Sequence, residues 1–184
     1  LSLEQQVDVL VLTPHFYPHK MSLENFLMNR NRAYTELEPV AQARKIRLRL
    51  GAEVAFYRNI SQSANLEYLT INGSKVILIE MPFRQWDMKE IDEIELIINR
   101  GLIPLIAHLD RYISLQKDKE PLSRLLSLRI ISQINCESLD SFFDRRRIIK
   151  TLGDNPFVLG SDCHNLSNRA PNIYEGRQII ANKM

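Results

Sequence analysis

The chain has 184 residues, room for one domain with a substantial core, and is read as a single domain over 1–184. Hydrophobic residues make up 45% and charged residues 25%, a globular mixture that excludes wholesale disorder. A net charge of +2 is too balanced to point to nucleic acid, two cysteines are too few for a disulfide framework, and no apolar run approaches a membrane span.

Cys136 and Cys163 read as the reduced thiols of a cytoplasmic protein. The opening LSLEQQ has neither Met nor the basic start of a signal peptide. VDVLVL (7–12) predicts a buried strand ending at Thr13-Pro14. Leu23, Phe26, Leu27, Tyr34, Leu37 and Val40 fall roughly along one side of a helix over about 23–45. IRLRLGAEVAF (46–56) reads as one strand, LEYLTING (66–73) as a strand entering an Asn-Gly turn, and KVILIE (75–80) as a further strand. Residues 87–100 read as an amphipathic helix: Ile91, Ile94, Glu95 and Ile98 are on helical spacing, Asp87 caps the start and Gly101 closes the end.

IPLIAH (103–108) is the next strand, 121–128 a helix, IISQIN (130–135) a strand, and 138–152 a helix stopped by Gly153. PFVLGSD (156–162) is the last strand and 171–182 the last helix. Strand and helix alternate through short connections, which predicts parallel strands in an α/β architecture, either a barrel or an open sheet. The basic runs Arg44, Lys45, Arg47, Arg49 and Arg145 to Arg147 are interleaved with apolar residues and read as solvated faces.

The chemistry collects where the strands end. The ends carry His15, Glu53, Glu80, His108 with Asp110 and Arg111 after it, and then Asp162 and His164. Each alone is ordinary. In parallel α/β folds, however, the C-terminal strand ends share one face and bring such residues together. Three imidazoles and three carboxylates in one place need compensating positive charge, and a mixed set of this kind suits Mn, Fe or Zn. Arg111 lies three residues after His108 and Arg169 five after His164; their planar forks fit phosphate oxygens, although surface ion pairing is the plainer reading. Metals beside arginines point to a phosphoester site.

GSDCHNLSNR (160–169) offers a rival, because Cys163 and Arg169 have the spacing of cysteine-nucleophile phosphatases. The intervening residues include no glycine for a tight anion nest, and Asp162 beside the thiol disfavours a thiolate. Cys163 reads as a bystander.

TPH (13–15), GAEV (51–54), LIEMP (78–82), AHLDR (107–111) and GSDCHNLSNRAP (160–171) together resemble the PHP (polymerase and histidinol phosphatase) superfamily. The resemblance spans essentially the whole chain and is nearest to the bacterial manganese-dependent protein-tyrosine phosphatases of capsular and exopolysaccharide synthesis. It implies a distorted (β/α) TIM-like barrel holding up to three divalent ions, Mn2+ foremost. Carried over residue by residue, Glu53 bridges two metals, Asp162 serves the first, Glu80 and His108 the second, and His15 and His164 the third. Arg111 and Arg169 hold the phosphate.

The same resemblance implies departures. The family's opening His-x-His strand has no counterpart, since LSLEQQVDVLVLTPH aligns with the helix and strand after it; a barrel without its first strand leaves a neighbour's edge exposed. Phe16 replaces a second His, Leu109-Asp110 a Pro-Glu pair, and Cys163 an Ala.

The implied reaction is in-line attack of metal-activated water on a phosphotyrosine, with the phenolate leaving with help from a metal or from Asp110. The implied partner is a membrane-associated tyrosine autokinase. A small-molecule, histidinol-phosphate-like phosphatase and a non-catalytic PHP binding module are the alternatives. His19, Trp86 and the Tyr17 region could line a substrate rim, with core or surface placement as the plainer reading. Oligomeric state is not legible.

Overall fold

The computed structural model describes residues 4–165, 167 and 169–183. Residues 1–3 of the opening LSLEQQ, positions 166 and 168 of the GSDCHNLSNR stretch, and residue 184 lie outside the described residues.

The chain alternates strands and helices, as the periodicity predicts. In order come β1 (Val9–Leu12), β2 (His15–Phe16), α1 (Leu23–Ala43), β3 (Arg47–Leu50), β4 (Glu53–Ala55), β5 (Val76–Glu80), α2 (Met88–Asn99), β6 (Ile103–Ile106), α3 (Glu120–Leu126), β7 (Ile131–Asn135), α4 (Phe142–Leu152), β8 (Phe157–Gly160) and α5 (Ile173–Lys183). Every pairing is parallel, with strand order β2-β4-β5-β6-β7-β8 and a separate β1-β3 pair. The β1-β3 pair runs in the same register as β2-β4, so the two short pairs are one pair of strands interrupted midway. Pro14 cannot donate to the ladder, and Gly51 instead donates to the Leu12 carbonyl at 2.8 Å. IRLRLGAEVAF is therefore two strands in one line instead of a single strand.

The sheet curves as a distorted TIM-like barrel. Alternate residues of β5 separate its two faces. Ile77 and Ile79 join the core formed with Ile91, Ile94 and Ile97 of α2, Leu122 and Leu125 of α3, and Ile148 and Leu152 of α4. Leu78 packs instead with Leu105 and Ala107 in a separate, smaller cluster. Fully burying each such aliphatic side chain contributes about 1.5–3 kcal/mol. Among the described residues the first and last strands do not pair with each other, and Val9, Val11 and Val158 on these edges are exposed. Outside the gap, Gln5 donates to Glu175 at 3.2 Å and accepts from the Tyr174 N–H at 2.8 Å, tying the start of the chain to α5.

The helix ends follow local chemistry. Asp87 and Glu90 form a reciprocal capping box on α2, and Gly101, with φ of +87°, takes the left-handed turn that ends it. Three expectations fail. LEYLTING forms two 3-10 turns, Leu66–Leu69 and Ile71–Gly73, because Asn65 and Asn72 adopt left-handed backbone and three-residue spacing buries both Leu66 and Leu69. The helix predicted from residue 138 starts at Phe142, capped by the Ser141 side chain after a separate 3-10 turn over Cys136–Leu139. The apolar side of α1 is buried only near its start, at Phe26, whereas Leu37 and Val40 are exposed.

Arg145 corrects the reading of its run as a solvated face. It is buried, and its guanidinium donates to the Leu139 carbonyl at 2.7 Å. No helix among the described residues is long and apolar enough to cross a membrane.

Candidate metal centre

Parallel pairing places several strand ends at one end of the barrel. His15 and Glu53 are register partners at the starts of β2 and β4, Glu80 closes β5, and His108 follows β6. His15 Nδ1 stands 3.9 Å from Glu53 Oε1 and 3.9 Å from Glu80 Oε2. His108 Nε2 stands 3.0 Å from Glu53 Oε1 and 3.6 Å from Glu80 Oε1. One ligand atom from each of His15, Glu53 and Glu80 falls within 4.8 Å of the others, a metal-binding triad suited to a divalent cation. The donor set fits such an ion: two carboxylates and imidazole nitrogens face one another, and Glu53 is buried.

The electrostatics of the four residues are coupled. Burial alone would lower the His108 pKa, but the adjacent Glu53 and Glu80 carboxylates outweigh it and raise it to about 9. The His108 hydrogen bond in turn lowers the Glu80 pKa against the opposing effect of burial. Tyr17 stacks on His15 with ring centroids 5.4 Å apart and donates from its hydroxyl to Glu80 Oε2 at 3.4 Å. Burial first, and then Glu80 and Glu53, raise its pKa.

The supports are specific. His108 has φ of +33° and Asp162 φ of +47°, left-handed conformations that are uncommon outside glycine and concentrate at functional sites. Gln133 accepts from the His108 N–H at 2.6 Å and holds that conformation. Gly160 leaves room for that side chain, since a Cβ there would lie 2.2 Å from Gln133 Nε2 and displace it.

Asp162, Arg111 and Arg169 form an adjoining set. Arg111 Nη2 lies 3.0 Å from Asp162 Oδ2 and 3.2 Å from Glu137 Oε1, and Arg169 pairs with the same Asp162 oxygen. The loop after β8 folds back to permit this: His164 N–H donates to the Arg169 carbonyl at 3.0 Å, and Asn165 Oδ1 accepts from the Arg169 N–H at 3.0 Å. His164 Nδ1 donates to the Asp162 carbonyl at 2.8 Å, and its ring centroid is 5.7 Å from that of His15. The six predicted ligands thus fall into a close group, His15, Glu53, Glu80 and His108, with Asp162 and His164 on the flanking loop. Both arginines are engaged by Asp162.

Asp110 and Trp86 are engaged away from the cluster, Trp86 in the core placement that is its plainer reading. Asp110 is buried and accepts from the Asn135 N–H at 2.9 Å and the Ser138 hydroxyl at 2.5 Å, so its carboxylate is committed to bracing the turn after β7. Trp86 is buried and donates to the Pro82 carbonyl at 2.9 Å, placing it in the core and not on a rim. Cys163 is exposed, and its thiol has a 3.6 Å contact to the Asn165 carbonyl.

Asn135 was missed. It closes β7, is buried, and its side chain lies 3.5 Å from Asp162. IISQIN ends on a polar residue just as its neighbouring strands do, which is the signal that would have found it.

A model of the family described as "Capsular polysaccharide synthesis, CpsB/CapC" matches residues 1–184. The tyrosine-protein phosphatase CpsB of Streptococcus agalactiae serotype III is 25% identical over 190 residues, covering 97% of this chain and 78% of that protein. CpsB of Streptococcus pneumoniae is 26% identical over 198 residues, covering 99% and 79%. The chain superimposes with a TM-score of 0.80 and 20% identity on a structure from work on YwqE of Bacillus subtilis and CpsB of Streptococcus pneumoniae, described as metal-dependent tyrosine phosphatases. That match covers 99% of this chain and 76% of the other and establishes the shared fold.

Proposed function

Since the chain belongs to the CpsB/CapC family of capsular polysaccharide synthesis, we propose that it is a metal-dependent phosphatase that hydrolyses phosphotyrosine on a protein substrate. The observation that carries the reading is the close approach of His15, Glu53 and Glu80, with His108 against both carboxylates. These four residues, with Asp162 and His164, hold the divalent ions, manganese being the expected species. The bound ions supply Lewis acidity and a nucleophile derived from water at neutral pH.

The chain's own residues do the rest. Glu53 and Glu80 fix the negative charge that retains the cations, and the fixed His108 backbone orients its imidazole toward them. Arg111 and Arg169 receive the phosphoryl oxygens through charge-assisted hydrogen bonds, which strengthen as charge redistributes in the transition state. Cys163 takes no part. The relatives' names support a phosphotyrosine protein as substrate; a membrane-associated tyrosine autokinase is the substrate proposed.

The test is hydrolysis of a phosphotyrosine peptide by the chain with Mn2+, after chelation, and as Cys163→Ser. Metal-dependent activity that survives Cys163→Ser is expected. Chelator-resistant activity abolished by Cys163→Ser would overturn the reading.

A further inference from the structure

Phe83 is out of place for an aromatic side chain. It lies three residues beyond Glu80, is 60% exposed, and sits between Met81 and Trp86, which are both buried. The backbone carrying it is nevertheless pinned on both sides. The Pro82 carbonyl accepts from the Arg84 N–H at 2.8 Å and from Trp86 Nε1 at 2.9 Å. Gln116, fully buried, accepts from the Trp86 N–H at 2.9 Å and donates to the Arg84 carbonyl at 3.0 Å. Arg84 also holds Glu90 at the start of α2. One side of the Phe83 ring rests on buried Tyr112, with centroids 5.0 Å apart, and its centroid is 6.3 Å from that of His108.

A mobile loop could hide such a ring; this one holds it in water beside the imidazole and carboxylate cluster. Tyr17, another aromatic of the cluster, stacks on His15 and donates to Glu80. What sets Phe83 apart from other exposed aromatics such as Phe143 is its rigid placement beside the His108 imidazole, where a ligand ring can use it at little cost in conformational entropy.

Resting on the phosphatase reading above, we propose that Phe83 is the substrate-binding residue that contacts the aryl ring of the phosphoester and selects aryl over alkyl phosphate monoesters. The phosphoryl group is held at the metals and arginines in either substrate class. An aryl ester places its ring, bonded directly to the ester oxygen, against Phe83; a simple alkyl ester such as methyl phosphate has no ring to place there.

The test uses two non-hydrolysable probes, phenylphosphonate and methylphosphonate, titrated calorimetrically into the Mn2+-loaded chain and its Phe83→Ala, Phe83→Leu and Phe83→Tyr variants. One aromatic contact corresponds to about a tenfold change in affinity. Phe83→Ala is expected to weaken phenylphosphonate about tenfold while methylphosphonate stays within about twofold; Phe83→Leu recovers part of the loss and Phe83→Tyr nearly all of it. Equal weakening of both probes, or no weakening of phenylphosphonate, overturns the inference and leaves the phosphatase reading intact. If the wild-type chain binds neither probe and hydrolyses no phosphomonoester with Mn2+, both fall together.

Discussion

The sharpest consequence of the cluster concerns the proton on His108. In the metal-free chain Glu53 and Glu80 carry its pKa from an ordinary 6.5 to about 9, so the imidazole is cationic at neutral pH. At about 1.4 kcal/mol per pH unit, that difference corresponds to about 3 kcal/mol of folding stability. The sign follows from the raised value. The contribution is fully present below about pH 6.5, declines as pH rises, and is gone above about pH 9. A cation that takes His108 as ligand must expel the same proton. Its apparent affinity therefore falls about tenfold per pH unit below 9, or about 100-fold at pH 7. Calorimetric Mn2+ titrations in buffers of different ionisation enthalpy count the protons released. About one proton per chain, released with the ion that His108 ligates, is expected at pH 7, and Glu53→Gln should reduce it. Zero release with pH-independent affinity, or a metal-free melting temperature that rises between pH 6.5 and 9, refutes the assignment.

Other perturbations separate chemistry from support. Asp110→Ala removes the acceptor of the buried Asn135 N–H and of the Ser138 hydroxyl, at a cost of about 1–3 kcal/mol. Its melting temperature should fall while the pH–rate profile keeps its shape; loss of one limb of that profile would restore Asp110 as the general acid. Gln116→Leu strands the Trp86 N–H and the Arg84 carbonyl, costing about 3 kcal/mol, and should lower the melting temperature by about 6–12 °C. A shift under about 2 °C would mean that the loop is held by other contacts. Arg169→Ala removes a charge-assisted donor worth about 1.5–3 kcal/mol, so kcat/KM should drop about 10- to 100-fold with bound metal retained; loss of metal on dialysis would mark it as structural.

Some of this was legible before any coordinates. β5 to β8 stand out because continuous apolar runs of strand length, bounded by helical periodicity, admit few other readings. α2 was legible at both ends because its capping box and its terminal glycine are local signals. LEYLTING was misread because Asn tolerates left-handed backbone, so two asparagines turned an apparent strand into 3-10 turns. Arg145 shows the limit of charge patterning: its guanidinium is buried because a carbonyl of the preceding turn receives it.

In the site, strand-end position marked His15, Glu53, Glu80 and His108, which the structure brings together, since parallel pairing fixes where those backbones end. It marked Asp162 too, but not its meeting with Arg111 and Arg169. Where those side chains meet depends on how the loop after β8 folds back, and no periodicity records that.

The double engagement of Asp162 gives the site a built-in exchange. Its side chain is only 9% exposed and is matched by Arg111 and Arg169. On the proposed phosphatase reading, an arriving phosphate competes with this carboxylate for the same two guanidinium forks, and each fork it takes leaves Asp162 short of positive charge. A divalent cation would make up that deficit, and a cation beside Asp162 would loosen the arginines for phosphate. Anion and cation would then assist each other's binding, each raising the other's affinity by the same factor.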